Sequence, residues 1–150
     1  MSYEMNAKVK ERINAMLCVC NDKHRQGIMN ACNIEDVLPV LLDLLSEWYK
    51  RDVVDEMLLL GYFICRHFGM SDDEFLSAID LERARQDVLF PDVSKLTDRQ
   101  WWLIATEEYG EIVQAYNDLL HGGFESIESI IIMETIQFVS VIVRYIESRA

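Results

Sequence analysis

Residues 130–143 read IIIMETIQFVSVIV, and this stretch decides the fold. As a helix it is apolar almost all round, with Glu134 as its one ionisable side chain and Gln137 on the same face one turn later. Such a helix has to be buried on most of its faces, in a bundle or in an oligomer. A carboxylate in these surroundings is costly unless it is paired with a cation or a metal ion.

The rest of the chain also has helical periodicity, and its helix ends are marked by capping residues. The sequence predicts helices over residues 5–20, after a cap at Asn33, over 53–68 before Gly69, briefly after the capping box Ser71–Glu74, from the capping box Thr97–Gln100 to about 120, and over about 125–148. Gly and Pro number only 6 and 2, too few for the turns of a many-stranded β-sandwich. We therefore predict an all-α helical bundle, with an N-terminal helical region 1–80 and a second region 81–150.

Composition restricts the partners and the location. A net charge of −12 without a run of basic residues argues against nucleic-acid binding. The N-terminus carries charges where a signal peptide needs an apolar stretch, and the window 130–143 is short for a bilayer span. We expect a cytoplasmic protein that does not bind a membrane.

Four residues within a short interval raise the alternative of a zinc site: Cys18, Cys20, His24 and Cys32. A C-x-C pair in a helix directs its two thiols to different faces, whereas structural zinc sites use more widely spaced pairs. Reduced, buried thiols are the favoured interpretation.

A second group of carboxylates precedes the apolar stretch. Glu108 and Glu111 share a helix face, and Glu107 lies one position round. A short Gly-containing loop separates this helix from the last one, so the two are expected to be antiparallel neighbours whose glutamates meet. Several carboxylate oxygens from two facing helices would suit Mg²⁺ or Mn²⁺.

Two alternatives to the metal site remain open at this stage. Glu107, Glu108 and Glu111 would also be compatible with a solvated acidic face. Glu134 would be satisfied equally by an ion pair with Arg144 of a neighbouring chain, or with Lys95 or Arg99.

Residues 107–111, EEYGE, followed after an interval by ETIQ at 134–137, resemble the MazG-like all-α nucleotide pyrophosphohydrolases. That family carries E-x-x-E, a spacer and E-x-x-D. The flanking residues of both motifs are also similar, and the resemblance covers about 82–148, including ERARQ at 82–86. This chain departs from the pattern at Gln137, whose amide can ligate a cation but brings no charge.

The resemblance implies an enzyme that cleaves a nucleoside triphosphate to the monophosphate and pyrophosphate. The all-round apolar last helix indicates a homo-oligomer, and we expect oligomerisation to complete the site. Glu108, Glu111, Glu134 and Gln137 would then be the ligands of Mg²⁺, or of Mn²⁺ in its place. Glu107 and Glu108 are the implied catalytic residues, with Glu107 as a candidate general base.

Four residues near the start of the first acidic helix are candidates for holding the nucleotide: Lys95 and Arg99 for its phosphates, and Trp101 and Trp102 for its base. If these residues do not bind the nucleotide, the charged side chains would serve surface solubility and the tryptophans would serve packing. The alternative to an enzyme is a module that binds nucleotide, metal or another protein. Its catalytic activity would be weak because of Gln137.

Overall fold

The computed structural model describes residues 7–20, 33–93, 95–122 and 127–149. In these ranges the chain forms helices and connecting turns without a β-strand, which confirms the all-α bundle. The helices are α1 (Ala7–Cys20), α2 (Ile34–Glu47), α3 (Val54–His67), α4 (Asp72–Leu89), α5 (Asp98–Leu120) and α6 (Ile127–Arg149).

Capping side chains set the helix starts as the sequence indicated. Asn33 accepts a hydrogen bond from the backbone N–H of Glu35 at 3.0 Å. Complete capping boxes begin α4 at Ser71 and α5 at Thr97. The short helix expected after Ser71 is, however, a long one that continues to Leu89. Within its charged last part, Arg83 and Gln86 are buried against the bundle.

Helix α6 lies at the centre and packs against α3, α4 and α5. Val139, Ile142 and Val143 are fully buried within the chain. The all-round apolar character that suggested an oligomer is thus largely accounted for by contacts inside one chain. Residues from both halves of the sequence contribute to the same hydrophobic cluster.

Helices α5 and α6 are antiparallel neighbours. At one end of the pair, the Trp101 ring packs edge-on against Tyr145 with centroids 6.0 Å apart. On its other side, α5 is fixed to α2 by two side-chain hydrogen bonds to backbone carbonyls. The Trp102 indole donates to Leu45 at 2.9 Å, and the Tyr109 hydroxyl donates to Leu38 at 2.8 Å. These contacts hold the acidic face of α5 against α6.

By length and composition, residues 128–149 of α6 would be able to cross a membrane, and 61% of the most apolar window is buried inside the bundle. A core helix of a soluble protein passes the same test, so this is weak evidence for either location.

The cysteine and histidine side chains considered for zinc (Cys18, Cys20, His24 and Cys32) lie outside the residues whose side chains the structure describes. Cys65, in α3, is a free, fully buried thiol, and burial raises its pKa to about 12. A thiol in this state behaves as a small apolar group.

Candidate metal and substrate site

The acidic site begins with a glutamate in the core stripe of α5. Trp101, Ala105, Ile112 and Ala115 are buried at spacings of four, seven and three residues, the pattern of a helix face directed inward. Glu108 occupies the position in this stripe between Ala105 and Ile112. The helix pattern predicts an apolar residue at this position. The carboxylate of Glu108 therefore lies in the contact between α5 and α6.

Helix α6 presents Glu134 to the same place. It lies three residues after Ile131 and four before Phe138, both fully buried. One carboxylate oxygen from each of Glu108, Glu111 and Glu134 lies within 4.8 Å of the others. The glutamates that sequence spacing assigned to a shared face are therefore brought together from both helices.

Two oxygens of this cluster have no evident partner. Glu108 Oε2 and Glu134 Oε2 are buried and accept no hydrogen bond from the described part of the chain. Leaving a carboxylate oxygen buried and unpaired is strongly unfavourable, so native structures pair such atoms or place them on a cation. The cluster has the donor set of a divalent-cation site.

Burial and mutual repulsion also change the acidity of the cluster. Desolvation, followed by the charges of Glu111 and Glu134, raises the pKa of Glu108 to about 7. Desolvation, followed by contact with the Glu111 carboxyl and then the charge of Glu82, raises the pKa of Glu134 to about 7. Glutamates this close together titrate as coupled groups. When no cation is bound, protons on the carboxylates relieve the repulsion between them.

A further carboxylate, which the sequence did not single out as a site residue, comes from α4. Glu82 has a side chain only 11% exposed and forms a 2.5 Å ion pair with Arg85. Its charge contributes to the raised pKa of Glu134, while the charge of Glu108 contributes to the raised pKa of Arg85. The family resemblance includes ERARQ at 82–86 but assigns Glu82 no role, and the i, i+3 spacing of Glu82 and Arg85 indicates only a local ion pair.

A cavity of about 380 Å³ opens beside the cluster. Glu107 and Glu108 lie on its wall, as do the cations Arg85 and Arg144. The rest of the lining is mostly apolar and aromatic: Phe90, Val93, Leu96, Trp101, Ile104 and Val141, with Gln86 and Asp92. Arg144 donates to the Phe90 carbonyl and lies 3.4 Å from Asp87, so it is fixed in place. The volume and the lining are typical of a small-molecule site.

The other predicted site residues occupy different places. Lys95 and Arg99 are exposed and do not line this cavity. Trp102, which is half-buried, is held by its hydrogen bond to Leu45, and the neighbouring Trp101 lies on the cavity wall instead. Gln137 is half-buried, and its main-chain carbonyl accepts from Gln86 at 3.5 Å. The ion pairs suggested from sequence between Glu134 and Lys95 or Arg99 are not found in the described residues.

Comparison of the chain with protein-family models, with curated proteins and with solved structures finds no match.

Proposed function

We propose that this protein is a Mg²⁺-dependent nucleotide pyrophosphohydrolase of the MazG-like type, with its active site between α5 and α6. The observation that carries the proposal is the meeting of Glu108, Glu111 and Glu134 within 4.8 Å, with two of their oxygens buried and unpartnered. The EEYGE and ETIQ motifs from which the family resemblance was drawn supply all of these ligands.

The donor set fits a hard cation. Mg²⁺ takes oxygen ligands at about 2.1 Å, so oxygens on one ion lie about 3 to 4 Å apart. Ligand atoms at most 4.8 Å apart would need to approach by only about an ångström. We propose Glu108, Glu111 and Glu134 as ligands, with Gln137 contributing its amide oxygen and Mn²⁺ as the alternative ion. When bound, the ion would neutralise phosphate charge and polarise the group under attack.

The cavity beside the cluster supports a nucleotide as the substrate. Its lining combines the carboxylates of Glu107 and Glu108, the cation Arg85 and an apolar wall that includes Trp101. A triphosphate placed with its phosphates at the carboxylates would direct its base into the apolar part.

The reaction we propose is attack of water on the α-phosphorus. The water oxygen forms a bond to that phosphorus while the bond to the bridging oxygen of the β-phosphate breaks, and pyrophosphate leaves. Glu107 is exposed on the cavity wall and is placed to accept the proton of the attacking water. Arg85 would stabilise the charge that develops on the leaving pyrophosphate.

The direct test is an assay of the purified chain with Mg²⁺ and a panel of ribo- and deoxyribonucleoside triphosphates, with monophosphate and pyrophosphate separated by chromatography. We expect equimolar amounts of the two products from at least one substrate. Release of inorganic phosphate and a diphosphate would contradict the proposed bond cleavage. If no triphosphate in the panel is hydrolysed while Mg²⁺ and nucleotide together still raise the Tm, the binding module remains as the function.

We also propose that the chain forms a homo-oligomer through the exposed apolar side chains of α4 and its end. Leu81 is 75% exposed, Val88 80% and Phe90 60%. These exposed fractions leave large apolar side chains in contact with water. Leu81 also borders an apolar groove of about 330 Å³ between α4 and α6, next to Glu82 and Arg85. A second copy on this face would lie close to the carboxylates.

A further inference from the structure

A second cavity, of about 590 Å³, lies between the start of α1, the turn after α2 and the end of α6. Its charge contrasts with that of the chain. Five cations line it against a single carboxylate, in a protein whose net charge is −12. They are Lys8, Arg12, Lys50, Arg51 and Arg149, and the carboxylate is Asp52. Three of these cations are paired with carboxylates that lie outside the lining: Arg12 with Asp55, Arg51 with Glu47 and Glu56, and Arg149 with Asp98. A small anion would bind here by sharing these cations and Lys50.

Aromatic rings form part of the same wall. Trp48 packs edge-on against Tyr145 with centroids 5.0 Å apart, and Arg149 lies 5.1 Å above the Tyr145 ring. Tyr49, also in the lining, is 58% exposed. A flat, partly apolar group would find stacking partners here, directly beside the cations.

The cations are available to a ligand at small cost. Arg51 is paired with Glu47 at 2.8 Å and with Glu56 at 2.9 Å, and all three side chains are more than 40% exposed. Arg149 is likewise paired with Asp98, and both of these side chains are more than 40% exposed. Exposed pairs of this kind contribute little because water and salt screen them, so a phosphate can replace or share them. The Lys50 ammonium has no ion pair within the described residues.

The cavity is separate from the carboxylate cluster. Tyr145 and Arg149 follow Glu134 along α6 by three to four turns, which corresponds to about 16 to 22 Å. The two cavities have no lining residue in common. Binding here therefore does not depend on the metal site or on the proposed hydrolysis.

We infer that this cavity binds a small organic phosphate that carries an aromatic ring, of the chemical class of a nucleoside monophosphate. The phosphate would be held by Lys50 and Arg149, and the ring by the Trp48 and Tyr49 side of the wall. The volume of about 590 Å³ is in the usual range for such ligands.

The experiment is a titration of the full chain with AMP in metal-depleted, low-salt buffer, followed by calorimetry and by tryptophan fluorescence. Adenosine and inorganic phosphate serve as the ring-only and phosphate-only probes. We expect saturable binding of AMP, weaker binding of phosphate and none of adenosine, with affinity falling as salt is raised. Adenosine binding as tightly as AMP would overturn the anion site, and so would the absence of saturation by AMP at millimolar concentration.

Variants distinguish this cavity from the other one. Lys50→Ala and Arg149→Ala, both at exposed positions, should each weaken AMP binding about tenfold, and the double variant should abolish it. The matched control is Lys10→Ala, which removes an exposed lysine of α1 that does not line the cavity and should leave the affinity unchanged. If Arg85→Ala, a substitution in the cavity beside the carboxylates, abolishes binding and the double variant does not, the anion occupies that other cavity and the inference fails.

Discussion

Glu108 of α5 and Glu134 of α6 face each other across the contact between the two helices, and each leaves its Oε2 atom buried without a hydrogen-bond donor in the described chain. Two carboxylates in this relationship repel each other and cannot be stabilised by the apolar residues around them. The arrangement is unfavourable for folding by itself, which is characteristic of a functional site.

Neutralising one of these carboxylates should separate function from stability. Glu134→Gln keeps the shape but removes a charge, so we expect pyrophosphohydrolase activity to fall at least 100-fold. The metal-free variant should be as stable as the wild type or more stable, since repulsion within the cluster is relieved. Activity assays and urea unfolding measure the two effects.

The matched control for this variant is Glu128→Gln, an exposed glutamate near the start of the same helix. It should change neither activity nor stability appreciably. Full activity of Glu134→Gln would contradict the assignment of Glu134 as a ligand, whatever its effect on folding.

The raised pKa values predict how stability changes with pH. Glu108 and Glu134 have pKa values of about 7 in the fold, above the ordinary value of 4.5 expected in the unfolded chain. Between these pH values the folded state binds more protons, so its stability decreases as pH rises from about 5 to about 8. We expect the Tm of the metal-free protein to fall over this range by several degrees, less than the full pKa shifts would give, because both side chains are partly exposed and water screens their charges.

Mg²⁺ should reverse that trend, because it takes the place of the protons. At pH 6 its binding should release protons, seen in calorimetry as an enthalpy that depends on the ionisation heat of the buffer. Double substitution of Glu108 and Glu134 by Gln should remove both the pH dependence and the proton release. A Tm that rises from pH 5 to 8 in the metal-free wild type would contradict the assignment.

The sequence predicted those parts of the site that depend on local spacing. The i, i+3 separation of Glu108 and Glu111, and the isolation of Glu134 among apolar residues, follow from helical periodicity alone, and the short loop made the two helices neighbours. The capping boxes at Ser71 and Thr97 set the helix starts correctly for the same reason.

What local spacing does not contain is the placement of one helix against another. Glu82 and Arg85 reach the cluster because α4 packs along α6, and no feature of residues 82–86 specifies that packing. The cavity of about 590 Å³ is likewise lined by side chains from three distant segments, 8–12, 48–54 and 145–149. Tertiary packing of this kind is set by the fit of whole apolar faces, which a single sequence does not reveal.

A substitution at Gln137 tests whether the affinity for Mg²⁺ can be increased. Replacing it by Asp adds a charge next to the cluster and restores the E-x-x-D pattern, so Gln137→Asp should tighten Mg²⁺ binding about tenfold. Calorimetric titration of Mg²⁺ into the metal-free protein measures this directly. The control is Gln114→Asp, which adds the same charge at an exposed position of α5. Equal effects of the two variants would indicate a general charge effect and no role for position 137 in the site.

The exposed face of α4 provides a test of self-association. Leu81→Lys and Val88→Lys place charges where a second copy would pack, so we expect them to shift the chain to a monomer in light scattering coupled to size exclusion. Leu103→Lys, at a 55% exposed position of α5, is the matched control and should not change the mass. A wild-type chain that is monomeric at 100 μM would contradict the proposed oligomer.

Because α3 packs closely against α6, replacing glycine by alanine at two positions should have opposite effects on stability. A Cβ added to Gly61 would lie 2.4 Å from Cγ2 of the buried Val139, whereas one added to Gly110 has no neighbour within 4 Å. Gly61→Ala should therefore destabilise the protein by about 1 to 3 kcal/mol, because the central helix has to move. Gly110→Ala should stabilise it by about 0.5 to 1 kcal/mol through helix propensity. Urea unfolding of the two variants compares them directly, and a Gly61→Ala protein as stable as the wild type would show that α3 does not pack this closely on α6.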